Sequence, residues 1–187
     1  MEYATKRGGI LIEKKARGKS KWQCAEGHIF YQTFNRVKFR GKWCPECGTK
    51  GERAVRVFFR YNNIPFIPQA TFPSLPKRRY DFYFQWHSKG YIVEYDGEQH
   101  FRYVRKYHKT KKGFLNAQLI DRVKTHLALM MGCSVIRIDF TQEEWIHHHL
   151  IRALHLQLPL YVSSPHLYQY LYTPLTVDQF HSYVVPL

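Results

Sequence analysis

The sequence predicts an α/β protein, a mixed sheet flanked by helices and preceded by a small zinc-binding module. Three observations predict it. Cys24, His28, Cys44 and Cys47 gather within WQCAEGHIFYQTFNRVKFRGKWCPECG. Over residues 51–158 the hydrophobic pattern switches between helical and strand periods in the order helix, three strands, helix, strand, helix. The 187 residues are 44% hydrophobic, enough to pack a core. Four parts are expected: a basic arm over 1–19, the zinc module over 20–50, the main domain over 51–158 and an aromatic extension over 159–187.

In the zinc module, Cys24 and His28 are four apart, and Cys44 and Cys47 form a C-x-x-C knuckle followed by Gly48. Three thiolates and one imidazole make a closed tetrahedral zinc site with no position left for water, hence structural. Phe30, Tyr31, Phe34, Val37 and Phe39 lie between the pairs and suit a short hairpin and helical turn of a zinc ribbon or treble clef. Metal substitutes for a core that so short a segment cannot build. Cys133, before the apolar VIRI run, reads as a small packed residue.

In the main domain, GERAVRVFFRYNN reads as a helix with Ala54, Val55, Phe58 and Tyr61 on one stripe and Glu52 in its first turn. IPFIPQATF reads as an edge strand, since each proline would remove a ladder donor from a central one. RRYDFYFQW, a turn at HSKG and YIVEYDGEQHF read as a β-hairpin. RYVRKYHKTKKGFLN is expected to be a basic loop, NAQLIDRVKTHLALMMG a helix ending at Gly132, and CSVIRIDF a buried strand. TQEEWIHHHLIRALHLQ is expected to be a helix with a Thr141–Glu144 capping box. The last stretch, rich in proline and tyrosine, has no clean period. It packs on the core, binds a partner or stacks on bases, three readings the sequence leaves open.

The chain carries 29 Lys and Arg against 14 Asp and Glu, a formal charge of +15. The excess is concentrated before residue 141; the remainder holds one basic and three acidic side chains. A polyanion is the expected partner, because neutralised phosphates release counterions. No run of about 18 apolar residues exists to span a membrane, and no secretory leader pattern opens the sequence, so an intracellular location is expected. In so basic a domain the acids are informative. Asp81, Glu94, Asp96 and Glu98 lie in or just after the hairpin, and alternation puts Glu94 and Asp96 on one strand face with Ile92. Adjacent carboxylates call for a cation, and oxygen donors suit Mg²⁺. His100 follows within reach of that cluster.

RYDFYF, YIVEYDGEQHF and LIDRVKTHLALMMGCSVIRIDF together resemble the PD-(D/E)xK nuclease superfamily, in the branch similar to the very-short-patch repair endonuclease and the EDxHD homing-type endonucleases of phages and viruses. The resemblance covers about residues 20–140, and members with a preceding zinc ribbon are known. It implies a restriction-endonuclease-like fold and a Mg²⁺-dependent DNA endonuclease, with Mn²⁺ as a substitute. Under it, Glu52 stands at the helix acid, Asp81 at the strand aspartate, Glu94 at the second metal-binding acid, Asp96 and Gly97 at the Asp-Gly pair, His100 at the histidine and Asp121 at the helix aspartate. Asp96 occupies the place of the usual catalytic lysine, leaving His100 or Lys124 as the substitute.

The expected mechanism has Asp81 and Glu94 binding Mg²⁺, His100 moving a proton and Asp121 orienting it, with Glu52 holding a second metal through water and Asp96 binding metal or fixing the turn. Arg137 is either a phosphate clamp or a salt-bridge partner. Lys38, Arg40 and Lys42 of the zinc module, and Arg102, Arg105, Lys106, Lys109, Lys111, Lys112 and Lys124, are expected to contact the backbone of double-stranded DNA. A double-strand cut would call for a homodimer. Two rival readings are an inert DNA-binding or recruitment module on the same fold, and a nuclease selective for mismatches or junctions.

Overall fold

The computed structural model describes residues 2–39 and 43–184. No helix among them is long and apolar enough to cross a membrane. The chain divides into two compact units, one ending at Arg53 and one beginning at Ala54.

The first unit contains α1 (Glu2–Thr5), β1 (Ile10–Glu13), β2 (Ser20–Gln23), β3 (Ile29–Gln32) and α2 (Phe34–Phe39). The strands form an antiparallel sheet in the order β1-β2-β3. The stretch expected to be a basic arm therefore supplies a strand, Ile10 pairing with Gln23 and Leu11 with Trp22. Ala4 is buried in the same cluster as Trp22, Phe30, Val37 and Trp43. Trp43 meets Trp22 and Phe30 edge-on, with centroids 5.8 and 5.0 Å away. So small a core needs every apolar group within reach, which is the physical reason the first residues fold back.

The helix α3 (Lys50–Tyr61) leads from the first unit into the second. There follow β4 (Phe66–Ala70), β5 (Tyr80–Trp86), β6 (Lys89–Asp96), a 3-10 turn (Glu98–His100), α4 (Arg105–His108), α5 (Lys111–Met130) and β7 (Ser134–Asp139). A second 3-10 turn (Phe140–Trp145), α6 (Ile146–Leu156), β8 (Leu160–Val162), a third 3-10 turn (Gln169–Tyr172) and α7 (Val177–His181) complete it. The sheet order is β4-β5-β6-β7-β8. β4, β5 and β6 are antiparallel neighbours, and β7 runs parallel to both β6 and β8. The hairpin turns at His87 and Ser88, both at positive φ, the backbone a two-residue turn needs to match strand twist. The parallel β6–β7 pair requires a crossover, which α5 supplies.

The sheet is covered on both faces. Val55, Phe58 and Phe59 of α3 and Ile146, Leu150 and Ala153 of α6 pack against Phe82, Phe84, Val93, Ile136 and Ile138. On the other face Ala128 of α5 packs with Tyr80, Ile92 and Val135. Every residue of β7 is buried, as a parallel strand between covered faces must be.

Two expectations need correction. The basic segment is not all loop: α4 forms within it, and α5 begins at Lys111 because the Thr110 side chain accepts from the Gly113 N–H and caps the helix. The Thr141–Glu144 capping box does not form. Asp139 instead takes the Thr141 N–H, at 3.0 Å, since a carboxylate at a buried strand end needs donors. Of the three readings left open for the aromatic extension, the structure shows the first, packing on the core: β8 joins the sheet, and Tyr168 is fully buried.

Candidate acid site and metal centre

Alternation along β6 sends Ile92, Glu94 and Asp96 to the α5 face and Val93 to the other. On α5, Asp121 and Lys124 are three apart and share the helix side that meets this face. β7 adds Arg137, in register with Glu94. Parallel pairing thus converges three separate segments on one point beyond the strand centres.

Arg137 has no exposed surface. Its Nε donates to Asp96 Oδ2 at 2.8 Å and its Nη2 to Oδ1 at 2.6 Å, a bidentate fork. Nη2 also lies 3.2 Å from Asp121 Oδ1, and Nη1 donates to the Thr125 hydroxyl at 3.0 Å. Its position answers the sequence alternative: Arg137 is a salt-bridge partner, and its burial leaves it no reach to a phosphate. His100 Nδ1 sits 2.7 Å from Asp121 Oδ2 and 3.5 Å from Asp96 Oδ1. The Tyr168 hydroxyl donates to Asp96 Oδ2 at 2.9 Å and the Tyr170 hydroxyl to Asp121 Oδ2 at 3.2 Å. Lys124 Nζ lies 2.7 Å from the buried Glu94 carboxylate and over the Tyr80 ring, whose hydroxyl donates to the Lys124 carbonyl.

The electrostatics follow from these pairings. Burial disfavours the charged imidazole of His100, but the Asp96 and Asp121 carboxylates outweigh it and raise its pKa to about 9. Burial would likewise raise the Asp121 carboxyl, but Arg137 and His100 hold it well below the usual range. At Glu94 burial prevails over Lys124 and Arg137, and the pKa rises. Burial keeps the Tyr168 and Tyr170 phenols protonated, hence donors.

Asp96, His100 and Asp121 offer three ligand atoms close enough for one ion. Their donors are already supplied, however: Arg137, His100 and the two phenols account for both carboxylates. A metal there would have to displace Arg137, so this trio does not fit a cation. Asp81 and Glu94, the acids expected to hold Mg²⁺, lie on the adjacent strands β5 and β6. The paired register of the two strands ends at Phe82–Val93; beyond it the Asp81 carboxylate accepts the Tyr95 N–H at 2.9 Å, and Glu94 pairs with Lys124. Carboxylate oxygens are what a divalent cation takes when phosphate and water complete its shell, and a cation on Glu94 would have to displace Lys124.

Glu52 lies in the first unit and serves α3 itself. Its carboxylate accepts the Thr49 N–H while the Thr49 hydroxyl accepts the Glu52 N–H at 3.2 Å, a reciprocal capping box. Helix capping thus gives an acid at this position a structural reason that the expected metal-holding role does not require. The T-x-x-E spacing was the signal that could have revealed it.

A cleft of about 360 Å³ opens beside His100, lined by Lys77, Arg78, Arg79, Ala117, Ile120, Asp121 and Lys124. Sequence reasoning missed Lys77, Arg78 and Arg79, although the KRR run directly precedes the strand bearing Asp81. It also missed Tyr168 and Tyr170, which lie in the segment without a period. Arg102, Arg105, Lys106, Lys109, Lys111 and Lys112 are all exposed, Arg102 paired with Glu98. Lys38 is exposed on α2 with its ammonium over the Tyr3 and Phe39 rings; Arg40 and Lys42 lie outside the described residues.

In the first unit, Cys24, His28, Cys44 and Cys47 bring four ligand atoms within 4.8 Å of one another. Cys24 and Cys47 sulfurs are 3.5 Å apart, and His28 Nδ1 is 3.5 and 3.7 Å from the Cys47 and Cys44 sulfurs. With bonds of about 2.3 Å to sulfur and 2.0 Å to nitrogen, a tetrahedral zinc gives edges of roughly 3.4 to 3.8 Å. The cluster can therefore hold a metal such as zinc. Gly27 and Gly48 adopt positive φ where the two ligand loops turn. Cys133 is free, half-buried and packed beside the α5-face cluster.

No protein-family model matches the chain, and neither a curated protein nor a solved structure was found that matches it.

Proposed function

We propose that the second unit is a divalent-metal-dependent DNA endonuclease and that the zinc module and exposed basic residues hold the nucleic acid. The observation that carries this reading is His100: two carboxylates engage its Nδ1, and its ring borders a cleft lined by Lys77, Arg78, Arg79 and Lys124. A phosphodiester entering that cleft would meet both these cations and the imidazole.

With a pKa of about 9, His100 is an imidazolium at neutral pH. Its natural role is then general acid, delivering the Nε2 proton to the leaving oxygen, more than general base toward water. Asp121 and Asp96 stabilise the charged ring, and the bond to Asp121 keeps a proton on Nδ1 once Nε2 has given up its own. Asp81 and Glu94 would hold Mg²⁺, which supplies Lewis-acid polarisation of the phosphate and a more acidic water. Lys124, paired with Glu94, also lines the cleft, so it would be within reach of a bound phosphate if a cation took its place on Glu94. The roles thus separate: Asp81 and Glu94 on the metal side, Asp96, Asp121 and His100 on the proton side.

A second reading, an inert DNA-binding module, draws on the same network, because each acid of that network already has a cationic partner. Supercoiled-plasmid cleavage separates the two. Wild type with Mg²⁺ is expected to nick or linearise the plasmid, and EDTA, Asp81→Ala and His100→Ala to abolish it. Tight binding without cutting, under Mn²⁺ and on junction or mismatched substrates as well, would sink the endonuclease reading.

A further inference from the structure

The segment after β8 returns to the acid site. Its 3-10 turn (Gln169–Tyr172) packs on α5, and Arg122 Nη1 donates to the Thr173 and Pro174 carbonyls at 3.2 and 3.3 Å. Farther along, the Tyr183 hydroxyl donates to the Asn116 side chain at 2.6 Å. Phe101, next to His100, meets the rings of Tyr168 and Tyr170 edge-on. A segment without sequence periodicity is thus held to α5 at several points, and two of its phenols reach the two carboxylates that face His100.

Those phenols are not equivalent. Tyr168 donates to Asp96 Oδ2, an oxygen Arg137 Nε already supplies at 2.8 Å. Tyr170 donates to Asp121 Oδ2, the very oxygen that His100 Nδ1 contacts. Asp121 Oδ1 faces Arg137 Nη2. Three donors from three segments therefore fix the plane of one carboxylate, and the imidazole is oriented by that plane. Removing one donor frees the carboxylate to rotate about its last side-chain bond.

We propose that Tyr170 is a positioning residue for His100, acting through Asp121. Its effect on rate rests on the endonuclease reading; its effect on His100 geometry does not. The chemistry is simple: no bond is made or broken at Tyr170, and its hydroxyl shares an acceptor with the imidazole N–H. A shared acceptor weakens each bond it receives, so loss of the hydroxyl alters the His100 Nδ1–H···Oδ2 bond directly.

The test uses the intact chain with Tyr170→Phe, which keeps the ring packed on Phe101, and with Tyr183→Phe, which loosens the same segment away from the acids. The readouts are the NMR resonance of the His100 Nδ1 proton, assigned by its loss in His100→Gln, and the kinetics of plasmid cleavage with Mg²⁺. Tyr170→Phe is expected to shift and broaden that resonance and lower kcat about tenfold, with KM within about twofold, the pattern of a misplaced reacting group. Tyr183→Phe is expected to leave both unchanged. An unaltered resonance in Tyr170→Phe, or equal changes in the two variants, would overturn the proposal. Should wild type cleave nothing, the endonuclease reading falls, and the resonance alone upholds or overturns the positioning of His100.

Discussion

Replacing Arg137 by methionine removes the guanidinium that Asp96 and Asp121 share while nearly keeping side-chain volume. Two buried carboxylates are then left facing each other across His100, and the Thr125 hydroxyl loses its donor. Breaking a buried pair by removing one partner costs about 3–5 kcal/mol, because the remaining charge stays desolvated. Here the fork is bidentate and fully buried, so the upper half of that range is expected, a large fraction of a typical domain's roughly 5–15 kcal/mol. Hydrogen exchange of the β6 and β7 amides reads the second unit specifically. Asp96→Asn combined with Arg137→Met should cost less than the two singles added, by about 2–3 kcal/mol of coupling. A loss below about 1 kcal/mol in Arg137→Met, or strict additivity in the cycle, would refute the buried-network argument.

Three further outcomes follow from the same geometry. The His100 pKa rises from 6.5 to about 9 on folding, so its charge stabilises the fold fully below pH 6.5 and that contribution is lost as pH climbs toward 9; it amounts to about 3 kcal/mol at most, and urea titrations should show a steeper decline over that window in wild type than in His100→Gln. Stripping zinc from the first unit with a chelator, or Cys47→Ser, should abolish the packed environment of Trp22 and Trp43, read by tryptophan fluorescence and restored by adding zinc to wild type but not to the variant. Alanine at Lys77, Arg78 and Arg79 should weaken DNA binding and flatten the dependence of log K on log salt by about 0.9 for each phosphate no longer neutralised, with an unchanged slope arguing against the cleft as a phosphate site.

Features set by near neighbours in the chain were legible in the sequence. The His87–Ser88 turn lies between two runs of strand-forming residues, and the strict alternation of Ile92, Glu94 and Asp96 places the acids on one face. The cysteine and histidine spacing places four ligands at one point because short loops leave them little freedom. What could not be read depends on distance along the chain. Nothing near Arg137 says that it forks Asp96, 41 residues earlier. Tyr168 lies 72 residues from the same carboxylate. Gly113 makes the start of α5 look like loop, while the Thr110 cap that overrules it is one hydrogen bond. Glu52 is ambiguous because an acid three residues after a threonine suits capping and metal binding equally well on paper.

The placement of β8 has a practical consequence for anyone who shortens or fuses this chain. β7 is buried along its whole length, and β8 satisfies its outer ladder at Val135, Ile136 and Arg137. Cutting the chain before Leu160 would turn β7 into an uncovered edge rich in β-branched side chains, a ready template for pairing with another molecule. Such a truncation is expected to precipitate or form strand-paired aggregates even where its remaining helices and strands fold.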